Sequence, residues 1–111
     1  MGYEGKNILV MGLGIHGGGL GVARFMARNG ANVRVTDLRG EEKLRSSIEV
    51  LEQEGLKIEY VLGEHREEDF TRCDLVVASP AIERSNVFLK AAVGAGVAVT
   101  AGDSTTRARW C

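Results

Sequence analysis

The reading of KNILVMGLGIHGGG, Lys6 to Gly19, decides the fold: an apolar run stops at a cluster of glycines. Ile8, Leu9, Val10 and Met11 show no polar alternation, the pattern of a short strand buried on both faces. Gly12, Gly14 and Gly17 follow at G-x-G-x-x-G spacing, and helical periodicity begins near Leu20, so the chain turns sharply and re-enters as a helix. In that geometry Gly12 allows the tight turn, Gly14 lets the backbone approach a ligand, and Gly17 lets the helix pack close to the strand. The unpaired N–H groups of the helix's first turn, at the positive end of its dipole, then face a bound anion. A plain strand–glycine–helix turn would use the same three residues. Context favours a nucleotide fold: a strand before, a helix after, and an acidic residue, Asp37, twenty positions beyond Gly17.

Composition bounds the rest. A chain of 111 residues is expected to form one domain and to bury roughly two-thirds of its unfolded surface. Lys and Arg number 14 against 15 for Asp and Glu, so no broad positive field invites nucleic acid or an anionic membrane, and any anion site must be local. Cys73 and Cys111 lack C-x-x-C spacing, which indicates neither a disulfide framework nor a zinc site. No apolar run approaches the roughly 20 residues of a membrane span, and a secretion signal is not evident, so a cytoplasmic location is expected.

In chain order, the first helix is expected from about Gly17 to Asn29, with Leu20, Ala23, Met26 and Ala27 as its apolar stripe and Gly30 as its stop. Gly18, Gly19 and Gly21 each weaken it by up to about 1 kcal/mol, so close approach to the sheet, to a diphosphate or to a packing neighbour must demand small residues there. A second strand, Asn32 to Thr36, ends at Asp37, which either meets a ligand at the carboxyl edge of the sheet or serves the turn into the next helix. Arg39 either contacts a phosphate or base or lies in solvent. A helix from Glu41 to Glu54 carries Leu44, Ile48 and Leu51 on one side, and Glu41 with Arg45 forms an i, i+4 pair. Ile58 to Leu62 is a third strand near the sheet edge. Gly63 to Arg72 is a charged connection anchored by Phe70, in which Glu67, Glu68 and Asp69 point apart and make no metal site. His65 is expected at the surface, whereas His16 lies in the glycine loop. Leu75 to Ala78 is a fourth, doubly buried strand followed by Ser79 and Pro80; a helix over Asn86 to Val93 and a strand at Val97 to Val99 complete the pattern. Alternating strands and helices with short loops predict an α/β, Rossmann-like three-layer fold. Its five-stranded parallel sheet takes the order 3-2-1-4-5 over residues 1–103, with a polar tail at 104–111.

The glycine loop, the Asp37 position and above all DLVVASPAIERSNVFLKAAVGAGVAV, Asp74 to Val99, resemble the N-terminal domain of Mur ligases, the D-glutamate-adding MurD members most closely. In that family the domain holds the uridine diphosphate part of UDP-N-acetylmuramoyl-L-alanine. The resemblance implies that Gly14, Ile15 and His16, flanked by Gly12 and Gly17, meet the diphosphate. It implies too that Asp37, Leu38 and Arg39 border the uracil and that Ser79, Pro80 and Ala81 line the opposite wall. Ala81 stands where the family has glycine, and Leu38 offers no side-chain hydrogen bond. The family's ligation uses ATP and Mg in a central domain with a lysine-bearing phosphate loop; G-x-x-x-x-G-K-[ST] does not occur here, so no bound cofactor is expected in this domain. The expected partners are a UDP-linked cell-wall precursor and the missing central and C-terminal ligase domains. The chain reads as an isolated domain, a truncated product or an engineered piece, not catalytic alone. The competing readings are an NAD-binding domain of a dehydrogenase or regulator, with Asp37 on the ribose hydroxyls, and a fold that has lost its ligand. Under the first reading, loss of the Asp37 side chain is expected to weaken nucleotide binding while leaving folding nearly unchanged.

Overall fold

The computed structural model describes residues 3–13, 18–79, 82 and 85–101. Five parallel strands, β1 (Asn7–Met11), β2 (Asn32–Asp37), β3 (Ile58–Leu62), β4 (Leu75–Ala78) and β5 (Ala98–Ala101), form one sheet in the order β3-β2-β1-β4-β5. Helices α1 (Gly18–Arg28), α2 (Glu41–Gln53), α3 (Glu67–Thr71) and α4 (Val87–Gly94) connect them. The order is the expected one. The 104–111 tail lies outside the described residues.

Alternation along the strands splits the core in two. Ile8, Val10, Val33, Val35 and Val77 face Val22, Ala23 and Met26 of α1 and Leu44, Ile48 and Leu51 of α2. Leu9, Met11, Val76 and Ala78 face Phe70 of α3 and Leu89 and Ala92 of α4. β1 is the only described strand whose neighbours, β2 and β4, lead outward in opposite directions. Its carboxyl end is therefore the topological switch point, where open α/β sheets leave a crevice.

The charged connection after β3 differs from its expected form. Within it, Glu67–Thr71 makes a short helix, and Phe70 is fully buried as the anticipated anchor. Asp69, expected in a run of carboxylates that point apart, is buried and bonded to Arg34 Nη1. Arg34 in turn reaches Glu59, its register partner on β3, through Nε and Nη2 at 3.0 and 2.7 Å. The hydrogen bond to Glu59 is the chief reason the guanidinium's pKa is raised further. On the second face, then, the sheet is apolar at β1 and β4, whereas β2 and β3 bring the Arg34–Glu59 pair to it.

Of the two α1 glycines whose surroundings are described, Gly19 and Gly21, the first has a steric reason. A Cβ on Gly19 would lie 2.7 Å from both Leu13 Cα and the Leu13 carbonyl oxygen, and closer still to the Gly12 carbonyl, so the helix sits against the loop backbone only because Gly19 has no side chain. Close packing is thus carried by Gly19; Gly17, expected to supply it, lies outside the described residues. A Cβ on Gly21 would meet nothing within 4 Å. Gly19→Ala should therefore cost at least about 1–3 kcal/mol through overpacking, whereas Gly21→Ala should stabilise by roughly 0.5–1 kcal/mol through helix propensity. Urea unfolding of the two variants tests this, and equal effects would remove the steric role of Gly19.

Candidate functional site at the switch point

The crevice is built where three strands end. Gly12 N–H donates to the Thr36 carbonyl at 2.8 Å, tying β1 to β2, and Ser79 N–H donates to the Met11 carbonyl at 3.0 Å, tying β4 to β1. Gly12 has φ +91°, a left-handed conformation that side chains resist, and a Cβ there would lie 3.3 Å from Ser79 Cβ and 3.6 Å from Ile82 Cδ1. Gly12 and Ser79 are thus adjacent walls. Gly14, Ile15, His16, Gly17, Pro80 and Ala81, expected to complete the crevice, lie outside the described residues.

Asp37, the last residue of β2, is only 5 % exposed. Its Oδ2 accepts from Leu13 N–H and its Oδ1 from Arg39 N–H, both at 2.9 Å. The second bond spans two residues and closes an Asx-type turn; the first crosses from β2 to the loop after β1. The turn reading of this residue is therefore present in its geometry, at the end of the strand beside Gly12 and Leu13. The expectation that folding is indifferent to Asp37 is corrected: without the carboxylate, the Leu13 N–H of a buried residue would lose its acceptor. Leu38, 66 % exposed, and Arg39, also exposed, follow it at the crevice rim.

A segment read from the sequence only as a charged connection braces this turn. Gly63, with φ +83°, reverses the chain after β3, and its N–H donates to the carbonyls of both Asp37 and Arg39 at 2.9 and 3.1 Å. Glu64 then pairs antiparallel with Asp37. His65, expected at the surface, is half-buried: Nδ1 lies 2.8 Å from Thr36 Oγ1, and its ring meets Phe70 and Phe88 edge-on, with centroids at 5.9 and 5.3 Å. Burial lowers the pKa of its imidazole, partly offset by the charge of Asp37. No group of three or more metal-ligating side chains occurs among the described residues.

The profile described as Mur ligase MurD-like, N-terminal domain, matches residues 6–101. The chain belongs to the MurD-like Mur ligase family. It is 52 % identical over 99 residues to the UDP-N-acetylmuramoylalanine–D-glutamate ligase of Roseiflexus sp. (strain RS-1), covering 89 % of this chain and 21 % of that protein. The ligase of the same name from Borreliella afzelii (strain PKo) is 44 % identical over 86 residues, covering 78 % and 19 %. The chain thus spans about a fifth of the length of these relatives. A pseudomurein peptide ligase type C from Methanothermus fervidus superposes with a TM-score of 0.65 at 26 % identity, covering 86 % of this chain and 18 % of that one. A short-chain dehydrogenase/reductase described from Burkholderia xenovorans superposes at 0.57 with 18 % identity, a likeness of fold alone. The MurD-like relationship favours the ligase reading over a dehydrogenase. No helix among the described residues is long and apolar enough to cross a membrane.

Two outcomes follow for this MurD-like domain. Asp37→Ala should lower stability by about 1–3 kcal/mol, the cost of stranding buried hydrogen-bond donors, and Asp37→Asn by less because its amide oxygen still accepts; a denaturation midpoint unchanged in the alanine variant would show that the two bonds carry no weight. Because the His65 pKa is lowered by folding, the unfolded chain takes up its proton first as pH falls below about 6.5. The stability advantage of the wild type over His65→Leu should therefore shrink between pH 7.5 and 5.5, and a constant difference in urea unfolding across that range would contradict it.

Proposed function

We propose that residues 1–103 form the uridine-nucleotide domain of a D-glutamate-adding ligase of peptidoglycan synthesis, holding the UDP part of UDP-N-acetylmuramoyl-L-alanine and supplying recognition rather than chemistry. The observation that carries this reading is the meeting of Gly12, Ser79 and the Asp37–Arg39 turn at the carboxyl end of β1, in a chain of the MurD-like family. The diphosphate is assigned to Gly12, Gly14, Ile15, His16 and Gly17 with the first turn of α1, where unpaired N–H groups and the helix dipole favour an anion. Uracil is assigned to Asp37, Leu38 and Arg39. Each Asp37 oxygen already accepts one N–H and retains a second lone pair, so the carboxylate can still accept the imide N–H of uracil. Ser79, Pro80 and Ala81 form the facing wall.

ATP and Mg belong, in this reading, to a central domain beyond these 111 residues, and the working location is the cytoplasm. Calorimetric titration of the purified chain with UDP, UDP-N-acetylmuramoyl-L-alanine and NAD tests the proposal. Binding of both uridine ligands with no NAD heat is the expected result. Preference for NAD would replace the reading with a dinucleotide site, and silence with all three would mean that this domain does not hold the nucleotide by itself.

A further inference from the structure

Thr36 and His65 lie outside every residue set assigned above, yet they form the underside of the nucleotide turn. Thr36 is fully buried, and its Oγ1 donates to the Glu64 carbonyl at 3.1 Å while lying 2.8 Å from His65 Nδ1. A hydroxyl has one proton to give. The tautomer that satisfies both contacts at once has the proton on Nδ1, which then donates to Thr36 while the hydroxyl serves Glu64. The imidazole is kept in place by two rings from different helices, Phe70 of α3 and Phe88 of α4, which also meet each other at 5.2 Å. Thr36 stands in the chain between the two groups that build the crevice: its own carbonyl accepts from Gly12 N–H, and the next residue is Asp37.

We infer that His65 is a positioning residue for the crevice: its Nδ1–H, seated against Phe70 and Phe88, fixes the Thr36 hydroxyl and so latches the Gly63–His65 segment onto the Thr36–Arg39 turn. The Asp37 carboxylate and the N–H groups of Leu13 and Arg39 then stand in one arrangement before any ligand arrives. The charges around the ring fit this role. Asp37 is the carboxylate from β2 that acts on it, α3 and α4 present aromatic rings, and on its own segment Glu64 and Arg66 pair with each other at 3.3 Å. Preorganisation of this kind raises affinity by reducing what must be ordered on binding.

The effect on ligand affinity rests on the uridine-nucleotide reading; the latch itself does not. The experiment therefore has two readouts on the 111-residue chain, amide resonances of Leu13 and Arg39 in ligand-free protein and calorimetric affinity for UDP. His65→Leu keeps the bulk and removes the donor, and His65→Asn returns an N–H near the Nδ1 position. The leucine variant should displace both amide resonances and weaken UDP binding by about tenfold, the worth of roughly one hydrogen bond, and the asparagine variant should recover both. A purely structural histidine would lower thermal stability equally in the two variants without such recovery. Should His65→Leu fail to fold, Thr36→Val, which deletes the receiving hydroxyl, must produce the same resonance changes. Unmoved Leu13 and Arg39 resonances in the variant that folds would overturn the inference. If wild-type chain binds no UDP, the function proposed above fails, while the resonances still decide the latch.

Discussion

Asp37 brings a carboxylate into a position that is almost wholly removed from water, and such a placement is costly unless the charge is met by donors. Both oxygens are met by main-chain N–H groups, one from the loop after β1 and one from the turn after β2. Bonds of this charge-assisted kind are shorter and stronger than neutral ones, and they fix the relative position of two chain segments that strand pairing alone leaves free. Leu13 is carried with its N–H: its side chain is fully buried in the core beneath α1 and α2. The glycine loop therefore starts from a point determined on one side by apolar packing and on the other by a carboxylate of the neighbouring strand.

The strands and their order were legible because parallel strands covered on both faces must be apolar throughout, and β1 and β4 could satisfy that requirement nowhere else. Helix limits were legible to within a residue or two for the same kind of reason, with Gly30 and Gly55 at positive φ where α1 and α2 end and Asn86 accepting from Phe88 N–H as the cap of α4. What stayed hidden depended on contacts distant in sequence. His65 is separated by 29 residues from the threonine it bonds, and nothing in GEHREE distinguishes a surface histidine from one seated between two phenylalanines. α3 is five residues long, too short for periodicity to reveal. In the run GGG at 17–19, spacing selects Gly17 as the packing glycine, but only the position of the Gly12 and Leu13 carbonyls shows that Gly19 is the residue pressed against them.

The crevice residues expected from family resemblance divide along the same line. Gly12, Ser79 and Asp37 are drawn together by strand ends, and their meeting follows from topology once β1 is the switch strand. Leu38 and Arg39 reach the rim because Asp37 closes the turn beneath them. The role of Asp37 itself was only half legible, since sequence position identifies an acidic residue at the crevice but not that its oxygens are already committed to the backbone. A ligand contact and a structural contact are not alternatives there: the same carboxylate can do both, and its structural bonds aim it.

The two faces of the sheet are held by different physics, and the turn at Asp37 is braced from the more exacting one. Beneath α1 and α2 the contacts are aliphatic and non-directional, the kind that tolerates exchange of one apolar side chain for another of similar volume. On the opposite face, β2 presents Arg34 and Thr36, two residues apart and therefore on the same side. Arg34 reaches Asp69 inside α3, and Thr36 reaches His65 just before α3 begins, so this short helix is fastened to β2 by polar bonds at two points and to the core by Phe70. Directional bonds specify one register and penalise all others, because a buried polar group without its partner costs more than the bond contributes. A helix of five residues could not be oriented by apolar packing alone. Fastened in this way, it presents Phe70 to His65 in a fixed attitude, and the order imposed on the underside of β2 is passed through Thr36 and Asp37 to the rim of the crevice.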